Sequence, residues 1–408
     1  MSSIMLNRRS FLRQAVGSAA WAAGSALLAP GRVLGANQRV RIALIGAGDR
    51  GREIFRVALR CPDVEAVAVA DVYTRRLEQA KAIAPAAATY RDFRQLLEDK
   101  SIDAVLIATP QHQHALQFVP AIQAGKDVYQ EKTMAFNPDH ARRMRKALAG
   151  TGRVVQIGMQ MNSGPGIGKV RELATPERMG VITAIEAHHY RNSPYGGWLR
   201  PIPPDCDPDH VDWPAFEGEA RRCSFDPQRY MNWRFYWDYS GGNVFENMVH
   251  QLGFWHQVLG LGIPETVTMV GANYRSPNME VPDTMAVSMN HREKVLFTWS
   301  SMFGNDYYGE TYDYLFGTKG AVLHDASGRV LYCPQGRARA GQDQPPGGGY
   351  TDYTLEHFQN FFDCVRGRKE PVCPFELGFR TAITCQMAIA SCRQQRTVRW
   401  DEQAQDIV

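Results

Sequence analysis

Lys132 stands directly after Glu131, just beyond a predicted strand that ends at Gln130. A lysine at a strand end can hydrogen-bond a substrate hydroxyl and take part in moving its proton. Glu246 and His250 lie four residues apart inside the apolar pattern Val244, Phe245, Met248, Val249, Leu252, Val258 and Leu259. That pattern predicts a helix with both residues on one face. A carboxylate that orients an imidazole makes a competent proton relay. Each pair also has a plainer reading. Glu131–Lys132 alone fits a surface ion pair, and Glu246–His250 alone fits two neighbours on a helix surface.

A third constellation supplies context. In Gly46-Ala47-Gly48-Asp49-Arg50-Gly51 the first glycine permits a tight turn. The second lets backbone approach a pyrophosphate, and the third allows close helix–strand packing. The free N–H groups of the following helix would then face the phosphates. Asp71, twenty residues after Gly51, is suited to accept hydrogen bonds from a ribose and to repel a 2′-phosphate, which favours NAD over NADP. Arg75 and Arg76 follow closely enough to reach such a phosphate, which keeps NADP open.

The elements that must position these residues read as alternating strands and helices. Strands are predicted at Arg41–Ile45, Glu65–Ala70, Ala104–Ala108, Asp127–Gln130 and Val154–Gly158, with helical stretches between them. This alternation predicts a parallel α/β sheet. Thr109-Pro110-Gln111-His112-Gln113-His114 and Glu131-Lys132-Thr133 then fall at carboxyl ends of strands, where such sheets bind ligands. Beyond residue 158, Glu265–Asn273, Thr284–Asn290, Lys294–Ser301 and Glu310–Phe316 alternate like antiparallel strands, and Thr354–Val365 and Phe379–Ala390 read as helices. His188 and His189 should face opposite sides of their strand, so they cannot share a metal.

The net charge of +4 is unevenly placed. Residues 1–36 hold Arg8, Arg9, Arg13 and Arg32 and no acid; without them basic and acidic side chains are equal in number. That balance gives no footprint for nucleic acid. Asn7-Arg8-Arg9-Ser10-Phe11-Leu12-Arg13 resembles a twin-arginine export signal, followed by a fifteen-residue apolar run, Ala15–Ala29, that is short for a membrane span. An exported, periplasmic protein carried by the twin-arginine machinery is the expectation; an uncleaved anchor is the alternative. The eight cysteines show no zinc spacing, so no metal is expected.

The chain resembles the Gfo/Idh/MocA family of glucose–fructose oxidoreductases and inositol dehydrogenases. The resemblance rests on the GAGDRG turn with Asp71, ATPxxxH at Ala108–His114, and AGKDVYQEK at Ala124–Lys132. It continues through Asp212-Trp213-Pro214, Phe216-Glu217-Gly218, Trp233-Arg234, and Trp237-Asp238-Tyr239-Ser240-Gly241-Gly242 before the Glu246/His250 helix. With residues 1–36 read as a signal segment, it implies an NAD(P)-binding Rossmann domain at 37–158, and an α+β domain at 159–408 with a large, mainly antiparallel open sheet that pairs subunits into a homo-oligomer. It implies that Lys132, Glu246 and His250 are catalytic, binding and deprotonating a hydroxyl while hydride passes to the nicotinamide. Gly46, Gly48, Asp49, Arg50, Gly51, Asp71, Thr109, Pro110, His114, Glu131 and Lys132 would meet the cofactor. Gln160, Asn162, Arg229, Tyr230, Trp233 and Arg234 would meet a carbohydrate substrate, with Trp198 a further candidate. Thr133 stands where the family usually has proline, Glu246 where it has aspartate, Gly253 where it often has a second aspartate, and Met161-Asn162 where basic residues are frequent.

The 192–239 stretch is rich in aromatic residues and arginine. Such residues either stack on sugar C–H groups or bury themselves against their own domain. Because free nicotinamide nucleotide is scarce outside the cytoplasm, an exported enzyme should hold its cofactor tightly and regenerate it in place. Two other functions remain open: an NAD-dependent glycosidase acting by transient oxidation and elimination, and a non-catalytic Rossmann-type binding protein.

Overall fold

The structure, a computed structural model, describes residues 39–306, 312–336 and 351–408. The twin-arginine-like segment lies outside the described residues. Two sheets organise the chain. In the first, strands β1 (Val40–Ile45), β2 (Val64–Ala70), β3 (Ala88–Tyr90), β4 (Ala104–Ile107), β5 (Asp127–Glu131) and β6 (Val155–Gly158) run parallel in the order 3-2-1-4-5-6. This is a Rossmann sheet, and its order reverses between β1 and β4, which opens the crevice where such folds take ligands. Its strands are nearly all apolar because helices cover both faces. β3 is the one strand of this sheet absent from the sequence reading: three residues at an edge, two of them exposed, give no hydrophobic signal.

The second sheet holds β7 (Ile182–Asn192), β8 (Thr266–Ala272), β9 (Thr284–Asn290), β10 (Leu296–Met302), β11 (Gly304–Asn305), β12 (Tyr312–Gly317), β13 (Gly320–Asp325), β14 (Val330–Pro334), β15 (Val398–Asp401) and β16 (Asp406–Ile407). Its order is 14-13-12-7-10-9-8-15-16, with β11 beside β7, and it is antiparallel except where β10 pairs with β7. In β8 and β9 one face is buried and the other open, hence their alternating pattern.

Helices Val249–Leu259 and Phe375–Gln394 lie on the buried face, and their apolar side chains join those of β4–β6 in one continuous core. The helix Thr354–Gly367 belongs by sequence to the second domain, yet it packs on the first. Phe358, Phe361, Phe362 and Val365 form an apolar stripe that covers Val40, Ile42, Phe55 and Tyr129. The Rossmann sheet therefore gains one wall from the far end of the chain.

Candidate active site

The glycine turn follows β1 and opens the helix Asp49–Ala58. Gly46 has φ +91°, and a Cβ there would sit 2.6 Å from Thr109 Cγ2. At Gly51 a Cβ would come within 1.9 Å of the Gly46 carbonyl oxygen. Gly48 differs: its nearest neighbour is the Arg76 guanidinium at 3.9 Å, so the missing side chain leaves open space. That space belongs to a cavity of about 810 Å³, lined among others by Gly46, Gly48, Arg50, Asp71, Thr109 and Pro110. Asp71 closes one end. Its carboxylate accepts from the Ala47 N–H at 2.7 Å and the Tyr73 N–H at 2.9 Å. Burial raises its pKa against the pull of Arg76 and these two donors. A bare backbone at Gly48, helix N–H groups and an anchored aspartate are what a dinucleotide requires.

Segment 193–240 covers this cavity. Arg200 Nε donates to Asp49 Oδ2 at 3.0 Å, and Asp49 Oδ1 takes Arg52 Nη2 at 2.9 Å. At the Asp71 end, Arg75 Nε meets Asp205 at 2.8 and 2.9 Å, the Tyr73 hydroxyl donates to the same carboxylate, and Tyr73 forms a β-bridge with Val211. Arg75 is thus tied to the covering segment at the cavity wall, while Arg76 lies over the Tyr230 ring at 4.8 Å on the same wall. The segment's aromatics mostly pack together: Trp213, Phe216, Tyr230, Trp233 and Tyr239 form one cluster with Tyr73, and Phe235 joins Phe303 in another.

A polar cluster forms at the carboxyl ends of β4 and β5. Glu246 sits in a π-helical turn, Val244–Met248, ahead of the helix Val249–Leu259. Its Oε2 accepts from Lys132 Nζ at 2.7 Å, and its Oε1 takes Gln111 Nε2 at 2.5 Å and faces Arg234 Nε at 3.3 Å. Burial opposes ionisation of Glu246, but Arg234 and Lys132 outweigh it and hold the carboxyl well below the usual range. The expected Glu246–His250 relay is replaced by this Glu246–Lys132 pair. The π turn widens the helix there, so residues four apart no longer stack as in a regular α-helix. His250 Nδ1 is buried with no hydrogen-bond partner. Burial, then the Lys132 and Arg50 charges, push its pKa well below that of free imidazole, so the ring is neutral. Behind Lys132, Glu131 is buried and takes Arg50 Nε at 3.1 Å and Gln160 Nε2 at 3.2 Å.

Two family models match the chain: "Oxidoreductase family, NAD-binding Rossmann fold" over residues 40–159, and "Oxidoreductase family, C-terminal alpha/beta domain" over residues 215–399. The chain belongs to the Gfo/Idh/MocA oxidoreductase family. It is an oxidoreductase with an NAD-binding Rossmann domain. An uncharacterized oxidoreductase of Streptococcus pneumoniae is 26% identical over 293 residues, 70% of this chain and 68% of that protein. A glycosyl hydrolase family 109 protein of Stenotrophomonas maltophilia is 39% identical over 124 residues, but these are only 28% of this chain and 27% of that one. A solved levoglucosan dehydrogenase, in complex with NADH and levoglucosan, superposes with a TM-score of 0.69 over 89% of this chain and 99% of its own, at 15% identity. That is a likeness of fold.

Within this Gfo/Idh/MocA chain, several residues lie elsewhere than the sequence reading expected. Both ring nitrogens of His114 lie against backbone, 2.8 Å from the Thr133 carbonyl oxygen and 2.9 Å from that of Thr109; the ring links the two strand-end loops. Gln160 is spent on Glu131 and the Tyr129 hydroxyl, at 2.8 Å from the latter. Asn162 is spent on Gly253 and Gln257. Each amide nitrogen satisfies buried polar groups of the fold. Tyr230 is fully buried in the aromatic cluster, and Arg229 is held by Asp238 and Glu280. At Gly253 a Cβ would lie 2.5 Å from Met159 Sδ, so methionine fills the room a second aspartate would need. Sequence reasoning missed Gln111 as a ligand of Glu246. It also gave His189 and Arg191 no role at the site; they lie two apart on β7, and Arg191 Nη2 meets His189 Nε2. Alternation on β7 was the available signal, since two residues apart on a strand means one face. Among the described residues no group of three or more metal-ligating side chains occurs.

Proposed function

We propose that the chain oxidises or reduces a hydroxyl-bearing carbon of a sugar, glycoside or polyol, using a tightly held nicotinamide nucleotide. One observation carries this reading: Lys132 is ion-paired with Glu246 at 2.7 Å beside a neutral His250 whose Nδ1 has no partner. An ammonium and a free imidazole together can hold one hydroxyl and take its proton. Lys132 donates to the substrate oxygen, and the His250 ring receives its proton. Glu246 is a positioning residue, fixing the Lys132 ammonium while Gln111 and Arg234 fix Glu246. Bound NAD supplies the hydride acceptor, held by Gly48, the helix N-terminus and Asp71.

Three finer points belong to the same reading. Asp71 at the cavity end supports NAD over NADP; Arg76 on the wall keeps the margin modest. The clasp of segment 193–240, tied by Arg200–Asp49 and Arg75–Asp205, supports slow cofactor exchange. The open face of the second sheet, bearing Val270 and Leu296, supports a homo-oligomer. Export by the twin-arginine route rests on the sequence of residues 7–13.

The test is to mix purified protein with a panel of sugars and polyols and follow the near-ultraviolet band of reduced nicotinamide. Reduction of bound cofactor by at least one member supports the reading. Cofactor that stays oxidised throughout, with aglycone released from chromogenic glycosides, would transfer it to the glycosidase. The partial match to the glycosyl hydrolase family 109 protein makes that arm worth running.

A further inference from the structure

The buried cluster around Glu246, which reaches the cavity wall through Arg234, holds more positive than negative charge. Glu246 is the shared counter-ion of Lys132 and Arg234. Arg50 and Glu131 neutralise one another behind it, with Glu53 as a second acid for Arg50. A third cation, Arg191 on β7, stands against Trp198, which lines the same cavity as Arg234. Its Nη1 donates to the Gly196 carbonyl oxygen at 2.6 Å, its Nη2 meets His189 Nε2, and its guanidinium lies 5.3 Å from the Trp198 ring centre. Among the described residues no carboxylate comes within ion-pair distance of Arg191. Burial disfavours its charge, and the carboxylate that offsets this is Glu246, already shared between two cations. The two histidines of the cleft add no charge, since burial pushes His189 down to about 3 and His250 far below its ordinary value. Lys132 and Arg234 therefore share one carboxylate, and Arg191, among the described residues, pairs with none.

A surplus of desolvated charge is costly unless a ligand answers it. Arg191 is also built to receive one. Of its five N–H donors, two are used by Gly196 and His189, which fix the plane of the fork, and three remain. A planar fork with free donors matches a carboxylate or an ester anion, and it does so with two bonds where a lysine would offer a point charge. Trp198 beneath it supplies a flat apolar surface of the kind on which a sugar ring rests.

We propose that the substrate is an anionic sugar, a hydroxyl-bearing ring with a carboxylate or phosphate group, whose anion is received by Arg191 while Lys132 and His250 hold the reacting hydroxyl. This rests on the oxidoreductase reading above and names the substrate class for that site. Arg191 is then the residue that determines specificity, and Arg234 completes the positive rim.

The experiment uses the cofactor-loaded protein and matched probes: glucose, glucuronate and glucose 6-phosphate, with galactose and galacturonate as a second pair. Bound-cofactor reduction and calorimetric binding are both measured, at low and at moderate salt. An acidic sugar should exceed its neutral counterpart by at least about tenfold in kcat/KM, chiefly through KM, and the advantage should shrink as salt rises. Glucuronate ahead of glucose 6-phosphate assigns a carboxylate; the reverse order assigns a phosphate. In Arg191→Gln the acid-to-neutral ratio should collapse toward one and the quenching of Trp198 fluorescence by the acid should vanish, while Arg191→Lys keeps part of the preference. Neutral sugars that match their acids in rate and in binding would overturn the proposal and leave the oxidoreductase reading standing. So would an acid preference that survives Arg191→Gln. Reduction by no sugar of either charge would overturn the reading beneath it.

Discussion

The dinucleotide turn and the cleft around Glu246 are built in opposite ways. The turn is local: six consecutive residues, Gly46 to Gly51, with glycine at the two positions, 46 and 51, where a Cβ would clash. The cleft is assembled from distant pieces, with Gln111 and Lys132 from strand ends, Arg191 from β7, Arg234 from the covering segment and Glu246 with His250 from a π-to-α junction. A local device can be read from spacing, and it fails when its backbone is obstructed. An assembled device works through charge balance, and it fails when one partner leaves the others uncompensated.

Changes on the two sides should therefore separate binding from chemistry. Lys132→Ala should cost about a thousandfold or more in turnover, within the range of removing a positioned acid–base group, while calorimetry shows the cofactor still bound. Loss of cofactor together with activity would erase the distinction. Gly48→Val should do the reverse. Its branched side chain enters the open space beside Arg76, so nucleotide affinity should fall by at least about a hundredfold, as expected when about 3 kcal/mol of contact is lost, with a circular dichroism spectrum like that of the parent. Undiminished affinity would remove the cradle from the account. Glu246→Gln should reduce turnover by about a hundredfold, since the amide cannot balance Lys132 and Arg234 and a broken buried pair costs several kcal/mol. A variant with parental kcat would show that Glu246 does not position Lys132. Arg200→Ala should speed cofactor release by about tenfold or less, the range of an exposed ion pair together with its packing; an unchanged rate in a displacement assay would mean the clasp does not retain cofactor.

The legibility of the sequence followed the same division. Five of the six parallel strands were readable within a residue or so because both faces are buried, leaving short apolar runs such as Val40–Ile45; the exposed edge strand β3 was not. β13 and β15 escaped, since GAVLHD and VRWD carry polar residues that break the pattern. The helix around Glu246 was legible, but its π turn was not, because an inserted residue keeps the same apolar content. The aromatics of the 192–239 stretch announced packing without saying against what. Most bury one another over the cofactor cavity, and of the candidates for sugar contact only Trp198, Trp233 and Arg234 line it. Gln160 and Asn162, read as substrate contacts, turn their amide nitrogens to buried carboxylate and backbone groups, a preference that their place after β6 does not reveal.

The smallest expected effect concerns stability. Burial pushes five histidines, His112, His189, His291, His324 and His357, down to about 3 or 4. A folded pKa below the unfolded value of about 6.5 means the native state refuses a proton that the unfolded chain accepts. That stability is complete above pH ~6.5 and is lost as pH falls toward 4. Asp127 and Asp313, raised to about 6 and about 7, act in the opposite direction but are fewer. The melting temperature should therefore decline from pH 7 to pH 5, and the decline should be shallower in His112→Gln. A flat profile would mean these rings stay accessible to protons.

The convergence of Lys132 and His250 on one nicotinamide ring is tested most directly by a crystal structure of the chain with its nucleotide bound. The account predicts the ring's reactive carbon on the Glu246 side of the cavity, with the Lys132 ammonium and the His250 imidazole flanking a substrate-sized space about 3–4 Å from it. A ring lodged on the far side of Glu131, with Lys132 and His250 facing different spaces, would contradict it.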